Sequence, residues 1–297
     1  MKILLLGKNG QVGWELQRSL APLGELIALD RLGEKKLCGD LANLSELEKT
    51  VLSVKPDVIV NAAAYTAVDK AEDEIEVANK VNRDAPRLLA QLAKKIDALL
   101  VHYSTDYVFN GSGNKARREG DSTDPLNIYG QSKREGEQGI EKTGCRHLIF
   151  RTSWVYGVIG NNFAKTMMKL AGDRDELNVI NDQIGAPTSS ELIADVTSHA
   201  IRSALKEDEL CGLYHLTAAG ETTWHAYACF VIEQARKNGQ NFQVRSINEV
   251  ATSEYPTPAI RPLNSILNCS KLEQEFSVSL PVWQQGIKRM LIEIQGS

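Results

Sequence analysis

The chain has 297 residues, 42% of them hydrophobic and 24% charged, with a formal net charge of −4. This is the composition of an ordinary globular protein, long enough for one large domain or two modest ones. It gives no global reason to expect nucleic acid or an anionic membrane as partner, and no stretch approaches the ~18 apolar residues of a membrane span.

The first residues, Met1 to Leu6, carry one lysine and a short apolar run that leads straight into a glycine turn, so they read as a strand rather than a signal peptide. Cys38, Cys145, Cys211, Cys229 and Cys269 are scattered, odd in number and never in C-x-x-C spacing. That argues against a disulfide framework or a zinc site and makes the cytoplasm the expected compartment.

Residues 2–6 form a continuous apolar run, the pattern of a strand buried on both faces. Gly7-Lys8-Asn9-Gly10-Gln11-Val12-Gly13 follows, then a helical pattern over 14–20. The first glycine gap is one residue wider than in a G-x-G-x-x-G dinucleotide fingerprint, but the physical task is the same. A tight turn lets the backbone approach a pyrophosphate, whose charge then sits on the free amides of a helix N-terminus. A strand over 26–29 ends at Asp30, twenty residues past Gly10, where an acid meets the adenosine ribose. Arg31 beside it keeps NADH and NADPH both open: a carboxylate favours NAD, and a guanidinium accommodates the extra phosphate of NADP.

Asp40 and Leu41 precede a helix expected near Ser45, with Glu48 completing a capping box. An apolar strand over 58–60 runs into Asn61-Ala62-Ala63-Ala64-Tyr65, where small residues admit either a flat ligand or a closely packed helix. A long helix is expected over 74–95, kinked or restarted at Pro86. The strand over 98–103 ends at Ser104-Thr105-Asp106-Tyr107. In a doubly wound sheet ligands bind beyond the carboxyl ends of strands, so these hydroxyls face a substrate position. His102, inside that strand, reads as a core residue.

After a Gly- and Asn-rich loop over 110–127, Tyr129-Gly130-Gln131-Ser132-Lys133 sets a tyrosine and a lysine four apart, on one face of a helix. The ammonium is expected to favour the phenolate and pull Tyr129 down from ~10, preparing it to exchange a proton with a carbonyl oxygen. A strand over 148–151 completes an alternation of strands and helices that implies a parallel sheet covered on both faces. Beyond 157 the pattern loosens. Helices are expected over 163–170, 191–205 and 224–237 and from about 281, with short strands near 179 and at 213–216 and Pro-rich loops around 256–262. The reading is a Rossmann-type domain over 1–155 and a smaller mixed α/β substrate lobe over 156–297, some of whose segments return to the first domain.

The glycine turn, the Ser-Thr at a strand end and the Tyr129/Lys133 pair, in that order, resemble the extended short-chain dehydrogenase/reductase superfamily. The stretches at 104–111, 125–130, 151–157, 182–188 and 261–265 are similar to the dTDP-4-dehydrorhamnose reductase family within it. That resemblance implies reduction by NADPH or NADH of the 4-keto group of a dTDP-sugar, dTDP-4-dehydro-L-rhamnose, the last step towards dTDP-L-rhamnose for bacterial surface polysaccharide.

It implies catalysis by Thr105, Tyr129 and Lys133, the last also holding the nicotinamide ribose. Gly7, Asn9, Gly10, Gln11, Val12 and Gly13 would cradle the pyrophosphate, with Asp30 and Arg31 at the ribose and Asp40 and Leu41 at the adenine. Ala62, Ala63, Ala64 and Tyr65 would line the cofactor. Asp106, Tyr107 and Trp154 join Thr105 and Tyr129 as substrate contacts; Trp154 serves equally well as packing between lobes. Arg261 reads either as a fork for the substrate diphosphate or as a surface arginine. The resemblance further implies a homodimer over magnesium held by Glu15, Glu191 and Glu293. Two rivals share the fold. A sugar-nucleotide epimerase or dehydratase would use Asp106 beside Thr105. A noncatalytic regulatory subunit, like that of methionine adenosyltransferase, would have no use for an intact Thr105, Tyr129 and Lys133.

Overall fold

Each apolar run of the first half becomes a strand of one parallel sheet. The protein is described by a computed structural model over residues 1–295. Here β1 (Lys2–Leu6), β2 (Glu25–Leu29), β3 (Val58–Asn61), β4 (Leu99–Thr105) and β5 (His147–Thr152) are joined by a sixth strand, Gly212–His215. The spatial order is Gly212–His215, β5, β4, β3, β1, β2, and every pairing is parallel. The sheet grows in opposite directions from β1, so its topological switch point is the crevice between the ends of β1 and β3.

The run in β1 is unbroken because both faces are buried. Ile3 and Leu5 pack with helices α1 (Gln11–Leu20) and α8 (Ser190–Ala204). Leu4 and Leu6 pack on the other face with α2 (Leu44–Val54), α5 (Ala85–Ile96) and α6 (Ile128–Thr143).

One local expectation is corrected. The cap of α2 is Asn43, whose side chain accepts from the Glu46 amide, and Ser45 lies inside the helix with its hydroxyl donating to the same Asn43 side-chain oxygen. The helical stretch expected over 74–95 forms and restarts at Pro86 as expected, with a wide turn before the restart. After α3 (Val68–Ala71) come α4 (Ile75–Asn79), a π-helical turn at Lys80–Asp84 and then α5, with Pro86 in its first turn. Proline is tolerated there because the first-turn amides have no intrahelical partner. The wide turn buries Asn82, which accepts from the Tyr65 amide at 2.9 Å and donates to the Tyr65 carbonyl at 3.0 Å and to Ser132 Oγ at 3.1 Å. A π-turn thus ties the cofactor-side loop to α6, in keeping with the frequency of such turns at functional sites.

The remaining α-helices are α7 (Phe163–Asp173), α9 (Trp224–Lys237), α10 (Ser270–Phe276) and α11 (Trp283–Gln295). The strand Glu176–Ile180 pairs in parallel with Ser246–Val250. The second of these had no sequence signature, since Ser246-Ile247-Asn248-Glu249-Val250 lacks an alternation of apolar and polar residues and is half exposed. No described helix is long and apolar enough to cross a membrane.

Candidate active site

The glycine turn sits at the switch point and is held there by close packing. Gly7 has φ +90°, and a Cβ on it would stand 2.7 Å from the Ala63 nitrogen on β3's exit. A Cβ on Gly13 would stand 1.9 Å from the Gly7 carbonyl oxygen. Only glycine lets β1, the turn and α1 approach so closely. The N-cap of α1 is Gly10, which offers no side-chain acceptor, so the helix's first amides stay available to an anion. Asp30 accepts from Asn9 Nδ2 at 2.8 Å and from the Leu32 amide at 3.0 Å, which fixes it at the tip of β2. The Arg31 side chain is 86% exposed and only 3.9 Å from Asp40, a loose pairing that leaves its guanidinium able to turn towards a phosphate.

One cavity of about 1160 Å³ runs from this turn along the ends of β1, β3, β4 and β5. Small-molecule pockets span roughly 300–1,000 Å³, so the volume suits a dinucleotide together with part of a second ligand. Apart from Gly13, which packs behind the turn, and Arg261, every cofactor and substrate residue named from the sequence lines it, from Gly7 and Asp30 at one end to Tyr107 and Trp154 at the other.

The helix α6 delivers the reactive pair. Asn127 caps it, accepting from the Gly130 amide at 2.8 Å, and donates from Nδ2 to the Ile260 carbonyl at 2.7 Å. Tyr129 in the first turn meets Tyr107 edge to face, with ring centroids 5.7 Å apart. Burial pushes the Tyr129 phenol up to about 12; a hydrogen bond with Thr105 works against this, and the Asp106 charge adds to it. Lys133 is buried one turn on, its nitrogen aimed at the Tyr103 carbonyl at 2.5 Å and at His102 at 3.3 Å. Its own pKa falls to about 8 through desolvation, opposed by the charge of Glu137. The expected lowering of the Tyr129 pKa by Lys133 is therefore corrected: in this arrangement desolvation governs the phenol, and it is held protonated at neutral pH.

Asp106 is buried beside them, accepting from the Thr105 hydroxyl at 3.0 Å. Burial raises its carboxyl to about 6 against the bonds from Ser265 and Thr105. Because the folded pKa lies above the ordinary 3.8, the folded state holds the proton more tightly, and ionisation costs stability. That cost is absent below about pH 3.8, grows through pH 6 and is complete above it. Asp106→Asn is accordingly expected to raise unfolding free energy by up to ~3 kcal/mol at pH 8 and by little at pH 4, as read by urea titration.

At the far end, Trp154 holds φ +47°, a left-handed conformation that costs a non-glycine residue on the order of 1 kcal/mol or more. It is kept there by stacking on Trp224, with centroids 3.5 Å apart and planes 13° apart, and by Gly185, where a Cβ would stand 2.6 Å from the indole. Trp224 also lines the cavity and donates to Gln183 at 3.1 Å. Sequence reasoning missed it, because nothing local distinguishes a tryptophan at a helix start from a core residue. Arg261 is not free for a diphosphate: it grips Asp69 through its two terminal guanidinium nitrogens at 2.7 and 3.0 Å.

Glu15, Glu191 and Glu293 lie on α1, α8 and α11, near enough for Glu293 and Glu15 to raise the Glu191 carboxyl further after burial has done so. Glu15 pairs with Arg18, and Glu191 and Glu293 both pair with Arg289. Among the described residues no group of three or more His, Cys, Asp or Glu side chains could hold a metal ion. The magnesium implied by the resemblance does not fit within one chain.

The family model described as the RmlD substrate binding domain matches residues 1–295. The dTDP-4-dehydrorhamnose reductase of Salmonella typhimurium is 56% identical over 99% of this chain and 98% of its own. The crystal structure of a dTDP-4-dehydrorhamnose reductase from Clostridium acetobutylicum superposes with a TM-score of 0.90 at 35% identity, covering 99% of this chain and 100% of that one. The dTDP-4-dehydrorhamnose reductase of Bacillus anthracis, solved in complex with NADP, gives 0.87 at 34% identity, covering 98% and 99%.

Proposed function

The chain belongs to the dTDP-4-dehydrorhamnose reductase family, and we propose that it reduces the 4-keto group of dTDP-4-dehydro-L-rhamnose with NADPH or NADH, giving dTDP-L-rhamnose. The observation that carries this reading is the meeting of Thr105, Tyr129 and Lys133 on the wall of the cavity that begins at the glycine turn. When bound, the reduced nicotinamide supplies the hydride. Gly7, Gly10 and the first amides of α1 hold the pyrophosphate, and Asp30, steadied by Asn9, takes the adenosine ribose. Arg31, exposed beside it, supports acceptance of NADPH as well as NADH.

Tyr129, kept protonated by burial, gives its proton to the oxygen on which charge develops. Thr105 holds that oxygen within reach, fixing the carbonyl in a near-attack geometry. The Trp154 and Trp224 indoles offer the sugar a flat apolar wall.

The test follows NADPH absorbance on adding dTDP-4-dehydro-L-rhamnose, with the product identified by chromatography. Stoichiometric oxidation with dTDP-L-rhamnose formed is expected; cofactor binding without oxidation would overturn the reading. Asp106 beside Thr105 favours one rival, the epimerase or dehydratase. That reading would gain from NAD co-purifying with the protein, since such enzymes keep their cofactor through a full cycle.

The reading extends to a cytoplasmic homodimer. Trp14, 49% exposed, and Ile292, 61% exposed, flank the cluster of glutamates and arginines on α1 and α11, an apolar and charged surface suited to a second copy. Sedimentation is expected to give twice the chain mass, and a species of 32.8 kDa alone would remove this part.

A further inference from the structure

His102 lies inside β4, fully buried, with a nitrogen on each side of it. Its Nε2 is 3.3 Å from Lys133 Nζ, and its Nδ1 is 3.1 Å from the side-chain nitrogen of Asn61 on β3. The Asn61 amide oxygen accepts from the Ala63 backbone at 3.3 Å, which sets the amide with its nitrogen towards the ring. A neutral imidazole has one donor and one acceptor nitrogen. With Asn61 donating into Nδ1, the ring proton sits on Nε2 and points at the lysine nitrogen. An ammonium there sets donor against donor, whereas an amine accepts the bond and still donates to the Tyr103 carbonyl.

The electrostatic surroundings agree with this arrangement. Desolvation first, and then the Lys133 charge, hold His102 well below its ordinary pKa. Desolvation likewise lowers Lys133, with Glu137 one turn further along α6 pulling it back. From β5 the nearest charge is Arg151, committed to Glu137 at 2.7 and 2.8 Å. The residue that β3 presents to the ring, Asn61, carries no charge.

We propose that His102 is a positioning residue for the reduction, holding the Lys133 nitrogen against the Tyr103 carbonyl and, through the tautomer Asn61 imposes, setting whether that nitrogen carries two protons or three. The proposal rests on the reductase reading. Its chemical sense is that Lys133 titrates close to neutral pH, at about 8, so the charge it presents one turn from Tyr129 changes across the working range and turnover changes with it.

The decisive variant is His102→Gln, whose amide can turn an oxygen towards Lys133 and so favour the ammonium. The alkaline limb of its kcat–pH profile is expected to move up by roughly one unit, with KM and NADPH affinity little changed. A folded, active H102Q protein whose limb stays where the wild type has it would overturn the proposal. A second measurement uses the wild-type chain and needs no turnover: ¹⁵N NMR of labelled histidine, with His102 assigned through the β4 backbone. The ring proton is expected on Nε2 at neutral pH, and a proton on Nδ1 would overturn the proposal even if H102Q failed to fold. If the wild type does not oxidise NADPH with the sugar nucleotide, it is the reductase reading that falls, and the tautomer still decides this one.

Discussion

Tyr129→Phe is expected to bind NADPH as the wild type does and to lose turnover by about 10³-fold, within the usual range for removing a general acid. The ring stays, so its edge contact with Tyr107 and the cap of α6 on Asn127 survive. What goes is the proton. Burial holds the phenol up at about 12, so the donor is loaded at neutral pH before any hydride arrives. Stopped-flow measurement of NADPH oxidation beside a fluorescence titration of NADPH separates the two effects. Turnover within about tenfold of wild type would remove Tyr129 as the donor and move attention to Asp106, the other buried acid on that wall.

Glu137→Leu is expected to lower unfolding free energy by about 3–5 kcal/mol, the range for breaking a buried ion pair from one side. Glu137 on α6 and Arg151 on β5 are both inaccessible, joined by two bonds at 2.7 and 2.8 Å, with Arg134 closing the other side at 2.9 Å. Burial works against the Glu137 charge, but the bonds and charges of these arginines hold its carboxyl below the ordinary 4.5. The contribution is therefore present above about pH 4.5 and is lost as pH falls through the lower folded value. Urea titrations at pH 7 should show the loss in full. The double variant Glu137→Leu with Arg151→Met should recover much of it, because no charge is then left buried alone. A single variant as stable as wild type would mean that the pair contributes nothing to fixing α6 on the sheet. The same change should lower the Lys133 pKa further, since Glu137 is what holds it up.

Much of the fold was legible because its signals are local. A strand covered on both faces is apolar along its buried run, and Ile3 to Leu6 in β1, Val58 to Val60 in β3 and Leu99 to Val101 in β4 read so. A turn that packs against a neighbouring strand end must be glycine, so Gly7 and Gly13 announced themselves. Two side chains four apart on a helix share a face whatever surrounds them, so Tyr129 and Lys133 could be paired from spacing alone.

What surrounds them came only with the tertiary structure. The sequence suggested that Lys133 would tune Tyr129, yet folding buries both and turns the lysine nitrogen towards Tyr103 and His102, so desolvation governs the phenol. Arg261 was a free fork until Asp69, 192 positions away, occupied it. Trp224 became a wall of the cavity by stacking on Trp154, seventy positions earlier in the chain. Spacing along the backbone follows from covalent geometry and can be read from residue order. Partners, burial and hence proton affinities depend on which distant segments share a core, and that is decided only when the chain closes on itself.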